Sequence, residues 1–184
     1  LGLLITGFQM HYAGPTHILG KIHNTLGYVL VIEYLFFLVY EIATRDVKQF
    51  IPASWEFTEG LIKQAKFYAI GIFKHEEHPY HMVKEHRLNP LQKPAYLSIM
   101  FGLMPVVVIT GLVLMRPDWM SFLIGWIGGQ ENVKYVFYLH LVTAFSALAF
   151  LFGHLYLATT GDTVKQHFEV MLTGFHRVYK YHRS

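Results

Sequence analysis

Apolar residues gather into runs long enough for membrane helices, separated by polar and charged segments. Three runs stand out: residues 20–40 (GKIHNTLGYVLVIEYLFFLVY), 95–115 (AYLSIMFGLMPVVVITGLVLM) and 133–159 (VKYVFYLHLVTAFSALAFLFGHLYLAT). At about 1.5 Å per residue each can span a hydrocarbon core of roughly 30 Å. The first is interrupted by Glu33, the second carries no charge, and the third is charged only near its start. Pro105 removes an internal hydrogen bond and is expected to kink its helix. The chain opens as LGLLITGF, inside another apolar run. About ten residues cannot cross a bilayer, which takes roughly 20, and neither the basic segment nor the cleavage site of a signal peptide is present. The expectation is a helix whose N-terminal half precedes Leu1. The fold class predicted is all-α: a transmembrane four-helix bundle, its first helix only partly present, forming one membrane domain over residues 1–184.

Composition supports a lipid environment. Of 184 residues, 53% are hydrophobic and 15% charged, whereas a soluble domain carries about 25% charge. The chain has no cysteine, which excludes disulfides, thiolate-bound zinc, cysteine-ligated iron–sulfur clusters and thiol catalysis.

Charge sets the expected orientation. The loop over residues 42–94 carries Arg45, Lys48, Lys63, Lys66, Lys74, Lys84, Arg87 and Lys93, and the tail over 161–184 adds Lys165, Arg177, Lys180 and Arg183. Only Lys21, Arg116 and Lys134 flank the other side. The positive-inside rule places the loop, the tail and the N-terminus in the cytoplasm of a bacterial or archaeal cell. The net charge of +3 is therefore topological. No helix-turn-helix, zinc-finger or RNP-like pattern accompanies it, and no nucleic-acid partner is expected. Residues 60–74 (GLIKQAKFYAIGIFK) suit an amphipathic helix at the inner interface or a solvated loop helix. Residues 119–126 (WMSFLIGW) are too short to span and suit an outer aromatic belt or re-entrant turn.

Histidine inside a membrane is costly unless its nitrogens find partners, and His23, His140 and His154 fall within the apolar runs. His23 and His140 each lie near the start of a helix running inward, so both belong to the outer leaflet at similar depth. Two imidazoles on facing helices can form an axial pair for one haem iron. His154 follows His140 by fourteen residues, about 21 Å of rise and about 40° short of four full turns. Both rings then leave one side of the helix, one near each leaflet. That spacing suits two stacked haems and not a single zinc site, whose ligands must converge.

No histidine of the first or second run matches the depth of His154, so its partner is expected before Leu1, with His11 a weaker alternative. Gly27 lies one turn after His23 on the same face, Gly153 precedes His154, and Gly7 and Gly111 sit in Thr-Gly pairs. Small residues admit a flat macrocycle between helices but also serve ordinary helix packing. The histidines could likewise be polar contacts in a transporter or scaffold. Glu33 is expected to be buried with a polar partner or a proton-linked role, or to face a partner subunit.

These residues resemble the di-haem cytochrome b membrane subunits of formate dehydrogenases, nickel–iron hydrogenases and thiosulfate-reductase-type complexes. The matching pieces are HNTLG at 23–27, NPLQKPAY at 89–96, His140 and His154 within LHLVTAFSALAFLFGHLYLATTG, and VMLTGF at 170–175. The resemblance implies two haem b groups, with His23 and His140 holding the outer one and His154 the inner one. It places the fourth ligand near the inner start of the first helix, and a menaquinone or ubiquinone site toward the inner haem. The matching positions there are Asn89, Gln92 and Lys93: amides can donate to a quinone carbonyl, and lysine can stabilise developing negative charge. A capped, positively anchored helix start explains the same residues without quinone. Tyr96 and Tyr156 are weaker candidates.

The expected function is that of a haem-b membrane anchor carrying electrons between an outer redox subunit, iron–sulfur or multihaem, and the quinone pool. No catalytic residue is assigned in this chain. A transmembrane haem conduit to a multihaem or metal-reducing partner is a rival reading. His75, His78, His81 and His86 cluster in the loop, but Pro79 breaks the helical register that HExxH zinc chemistry needs. A contact surface or proton-buffering route is expected there.

Overall fold

The structure, a computed structural model, describes residues 1–74, 76, 79, 80 and 88–159. The loop histidines His75, His78, His81 and His86, the tail after residue 160 and its VMLTGF segment lie outside the described residues. All described regular structure is helical. The chain divides into two compact units, Leu1–Ser146 and Ala147–Ser184.

The first unit begins with α1 (Gly2–Ala13) and α2 (His17–Thr44). Gly14, at φ 91°, ends α1 in a conformation that glycine adopts readily. The Thr16 hydroxyl then caps α2 by accepting from Leu19 N at 3.2 Å. A 3₁₀ turn, Asp46–Phe50, follows α2. Next comes a broken helical run: a π turn at Glu56–Gly60, α3 (Leu61–Lys66), a second π turn at Phe67–Gly71 and a 3₁₀ turn at Ile72–Lys74. The expected helix at 60–74 is thus present but starts earlier and changes pitch twice.

Its buried positions are Glu56, Gly60, Gln64, Phe67 and Gly71, while Phe57, Ile62, Ile70 and Phe73 face outward. The exposed positions also include Lys63, Lys66 and Lys74, so apolar and basic side chains share the outward surface.

The second apolar run forms α4 (Gln92–Leu97), a π-helical stretch Ser98–Leu103 and α5 (Met104–Met115). The disturbance at Pro105 takes the form of this widened turn just before it. The connection between α5 and the last helix holds a short helix, α6 (Ser121–Trp126), with Ile124 buried and Phe122 and Trp126 exposed. Arg116 clamps Asp118 through two hydrogen bonds, of 3.1 and 2.7 Å, and lies 3.8 Å over the Trp119 ring. The last helix, α7 (Val133–Ala158), begins in the first unit and supplies the described helical residues of the second.

Three helical spans, His17–Thr44, Gln92–Met115 and Gln130–Leu157, are long and apolar enough to cross a membrane. Their packing is inverted relative to a soluble domain. Thr6, Thr110 and Thr143 are buried, whereas Phe36 is 73% exposed and Val39 66%. Each large apolar side chain left in water would forgo roughly 1.5–3 kcal/mol, a penalty that lipid removes. Threonines inside and hydrocarbon outside match helix packing in a bilayer, where small polar residues let helices approach. Glu33 departs from the expectation of burial. It lies on the exposed surface of α2 beside Ile32, an orientation that fits the partner-facing alternative.

Candidate functional site

Two histidines meet where α2 and α7 face each other. The His23 and His140 ring centroids are 6.4 Å apart with the planes at 82°. Both residues are half-buried. Each sits in the second turn of its helix, which brings the two rings to matching levels. Phe8 of α1 packs edge-on against Phe145 of α7 at 4.8 Å and helps hold the helices around the pair.

Each histidine is held from another helix, His23 from α1 and His140 from α5. Thr6 Oγ1 lies 2.9 Å from His23 Nδ1, and Thr110 Oγ1 lies 2.9 Å from His140 Nδ1. The adjacent glycines make room for the rings. A Cβ on Gly7 would stand 3.2 Å from His23 Cε1, and one on Gly111 would stand 3.2 Å from His140 Cε1. The same Thr-Gly device thus serves both histidines. Composition drew attention to the glycines of these pairs; the threonines beside them went unnoticed, though the repeated dipeptide was a signal for both.

The donor chemistry discriminates between kinds of metal site. Imidazoles bonded to one metal at about 2 Å, with the ring centres roughly 1 Å beyond, place their centroids about 6 Å apart. The observed pair meets that spacing. A bare metal ion wants about four ligands, yet no group of three or more histidine, cysteine, aspartate or glutamate residues suited to a metal occurs among the described residues. Two imidazoles at this spacing would suit a metal whose remaining ligands come from a macrocycle. Nothing lies within 4 Å of a Cβ built at Gly27, so open space adjoins α2 one turn from His23.

The other predicted residues are placed elsewhere. His154 lies on α7 within the second unit, where its ring stacks on Phe150 at 5.8 Å and 17°. His11 contacts Tyr12 and Phe137, at the end of the bundle that holds His140.

Asn89 and Gln92 form a reciprocal cap. Asn89 Oδ1 accepts from Leu91 N and Gln92 N, at 3.0 and 2.8 Å, while Gln92 Oε1 accepts from Asn89 N at 3.0 Å. Pro90 lies in the turn between Asn89 and α4, where its missing N–H is harmless. Asn89 Nδ2 also donates to the Tyr68 hydroxyl at 3.2 Å. Burial pushes the Tyr68 phenol above its ordinary range.

Lys93 is buried against Glu56, its Nζ 2.7 Å from both carboxylate oxygens, and Ala53 N donates to Glu56 Oε2 at 2.7 Å. Glu56 carried no signal in the sequence, because 37 residues separate it from Lys93. Beside this pair opens a cleft of about 460 Å³ lined by Lys48, Ile51, Pro52, Trp55, Glu56 and Lys93.

Comparison with known proteins agrees with this donor set. Residues 1–174 match the family described as prokaryotic cytochrome b561. An Escherichia coli (strain K12) protein named "Putative cytochrome YdhU" is 33% identical over 180 residues, covering 95% of this chain and 67% of that protein. No solved structure matches. Membership of a cytochrome family sets aside the transporter or scaffold reading of the chain and implies haem b. With its apolar spans and its facing imidazoles, the chain belongs to the prokaryotic cytochrome b561 family, haem-b membrane proteins of electron transfer.

Proposed function

We propose that this chain is the membrane subunit of a larger redox complex, carrying electrons between a redox subunit on the outer side and the membrane quinone pool. The observation that carries the reading is the His23–His140 pair, spaced at 6.4 Å for two ligands on one metal. Haem b supplies one-electron redox chemistry when bound. His23 and His140 would hold the outer group, and His154 would hold a second, inner one. Gly27, with open space at its Cβ position, would border the outer group.

The inner cleft supports the quinone side of the proposal. Its volume of about 460 Å³ falls within the roughly 300–1,000 Å³ typical of small-molecule sites, and it joins apolar walls to charged groups. Lys93 would face the quinone from the cleft wall, its ammonium fixed by Glu56. Asn89 and Gln92 would act by fixing the start of α4, which carries Lys93. The positive charge of the loop supports a cytoplasmic position for this cleft, where protons for quinone chemistry would be available. The outer partner would be an iron–sulfur or multihaem protein, since the chain has no cysteine with which to hold an iron–sulfur cluster itself.

A reduced-minus-oxidised spectrum with haem quantification on the full-length membrane protein tests the reading. Two b haems per chain are expected, with His23→Ala and His140→Ala each removing one and the same signal, and His154→Ala disturbing the other. Unchanged haem content in all three variants overturns the assignment. Loss of quinone reduction in Lys93→Ala with both haems retained is the outcome expected for the cleft.

A further inference from the structure

The two threonines offer more than packing, and their proton inventory shows how. A threonine hydroxyl has one proton to donate and lone pairs to accept. Thr6 Oγ1 donates to Gly2 O at 2.8 Å, and Thr110 Oγ1 donates to Val106 O at 2.6 Å. With that proton committed to a carbonyl, the contact to each Nδ1 requires the ring nitrogen to donate. A second carbonyl points the same way. Thr6 Oγ1 also lies 3.3 Å from Leu3 O, and Thr110 Oγ1 3.2 Å from Val107 O, so each hydroxyl faces two carbonyls of its own helix that take its proton, which leaves its lone pair for the ring.

We propose that Thr6 and Thr110 are paired positioning residues that fix His23 and His140 as Nδ1–H tautomers and present both Nε2 lone pairs to one metal. This rests on reading the two histidines as axial ligands. Ligating histidines commonly donate their other N–H to an acceptor that sets tautomer, ring rotation and ligand basicity. Here the acceptors come from helices other than those bearing the ligands. The relative placement of α1 against α2, and of α5 against α7, therefore sets the rotation of each ring. Gly7 and Gly111 complete the device. Their hydrogens face the Cε1 atoms, between the two ring nitrogens, and a methyl group there would stand only 3.2 Å away.

The test uses Thr6→Val and Thr110→Val in the full-length membrane protein, each nearly isosteric but unable to accept. Loss of the acceptor weakens imidazole basicity, so the midpoint potential of one b haem should rise while that of the other stays unchanged. Haem affinity should fall about tenfold, at the lower end of the effect of losing such a partner. Thr6→Ser and Thr110→Ser keep the hydroxyl and should restore both readouts, which a purely steric role would not. If the valine variants leave both potentials and the haem content at wild-type values while His23→Ala and His140→Ala remove haem, the positioning role is overturned. If the histidine variants themselves retain full haem, the ligation reading fails and takes this proposal with it.

Discussion

The Tyr34 hydroxyl donates to the Met100 carbonyl at 2.7 Å, taking the place of a backbone donor that Pro105 cannot supply. Within the π-helical stretch Ser98–Leu103, Met104 N bonds Ile99 O, five residues back. The same spacing from Met100 leads to Pro105, which has no N–H. A carbonyl left unpaired in an apolar bundle costs free energy, and α2 supplies the missing donor. One hydrogen bond thereby ties α2 to the second span, Gln92–Met115, at the place where that span is weakest.

Tyr34→Phe should destabilise the detergent-solubilised protein by about 1–3 kcal/mol, the cost of a buried acceptor left unsatisfied. Pro105→Ala returns an N–H within reach of Met100 and should recover part of that loss. Thermal unfolding of the two single variants and the double variant forms a cycle. Strict additivity would show that the tyrosine and the proline are not linked through this carbonyl.

Lys93→Met strands the Glu56 carboxylate in a buried setting, and roughly 3–5 kcal/mol of destabilisation is expected. Replacing both partners, as Glu56→Leu with Lys93→Met, should be far milder because no lone charge remains. Denaturation midpoints of the three variants check this. Equal losses in the single and double variants would argue against a coupled pair.

Gly7→Ala and Gly111→Ala bring a methyl group to 3.2 Å from a histidine ring. Alanine favours the helix by up to about 1 kcal/mol, which offsets strain in the backbone but not displacement of the ring. Thermal stability should thus change little while haem retention falls. Gly27→Ala meets no protein atom within 4 Å. Haem loss in that variant would place the macrocycle against α2, and full retention would place it elsewhere.

Acid should loosen the connection between α5 and α7. The Arg116 guanidinium, hydrogen-bonded to Asp118, holds that carboxyl below its ordinary 3.8. A lowered carboxylate pKa contributes stability above 3.8 that is lost as pH falls below it. Trp119, stacked under the same guanidinium, should report the change as a fluorescence transition in that range. The transition should be absent in Asp118→Asn, and its persistence there would assign it to another group.

Much of the architecture was legible from apolar run length. The runs at 20–40, 95–115 and 133–159 reappear as helical spans His17–Thr44, Gln92–Met115 and Gln130–Leu157, because in lipid a backbone must satisfy its own hydrogen bonds and the helix does so locally. The asparagine-proline start of α4 was legible for the same local reason, since a capping box joins residues three apart. Even the pairing of His23 with His140 followed from the depth of each along its helix.

What sequence could not determine is anything decided by contact between distant segments. Glu56 meets Lys93 across 37 residues, and Thr110 meets His140 across 30. Glu33 turned to the exposed surface because helix rotation is set by neighbouring helices and not by its own hydropathy. Length and apolarity fixed where the chain crosses the bilayer; side-chain packing between helices alone decided which polar atoms meet, and with them the shape of the histidine site.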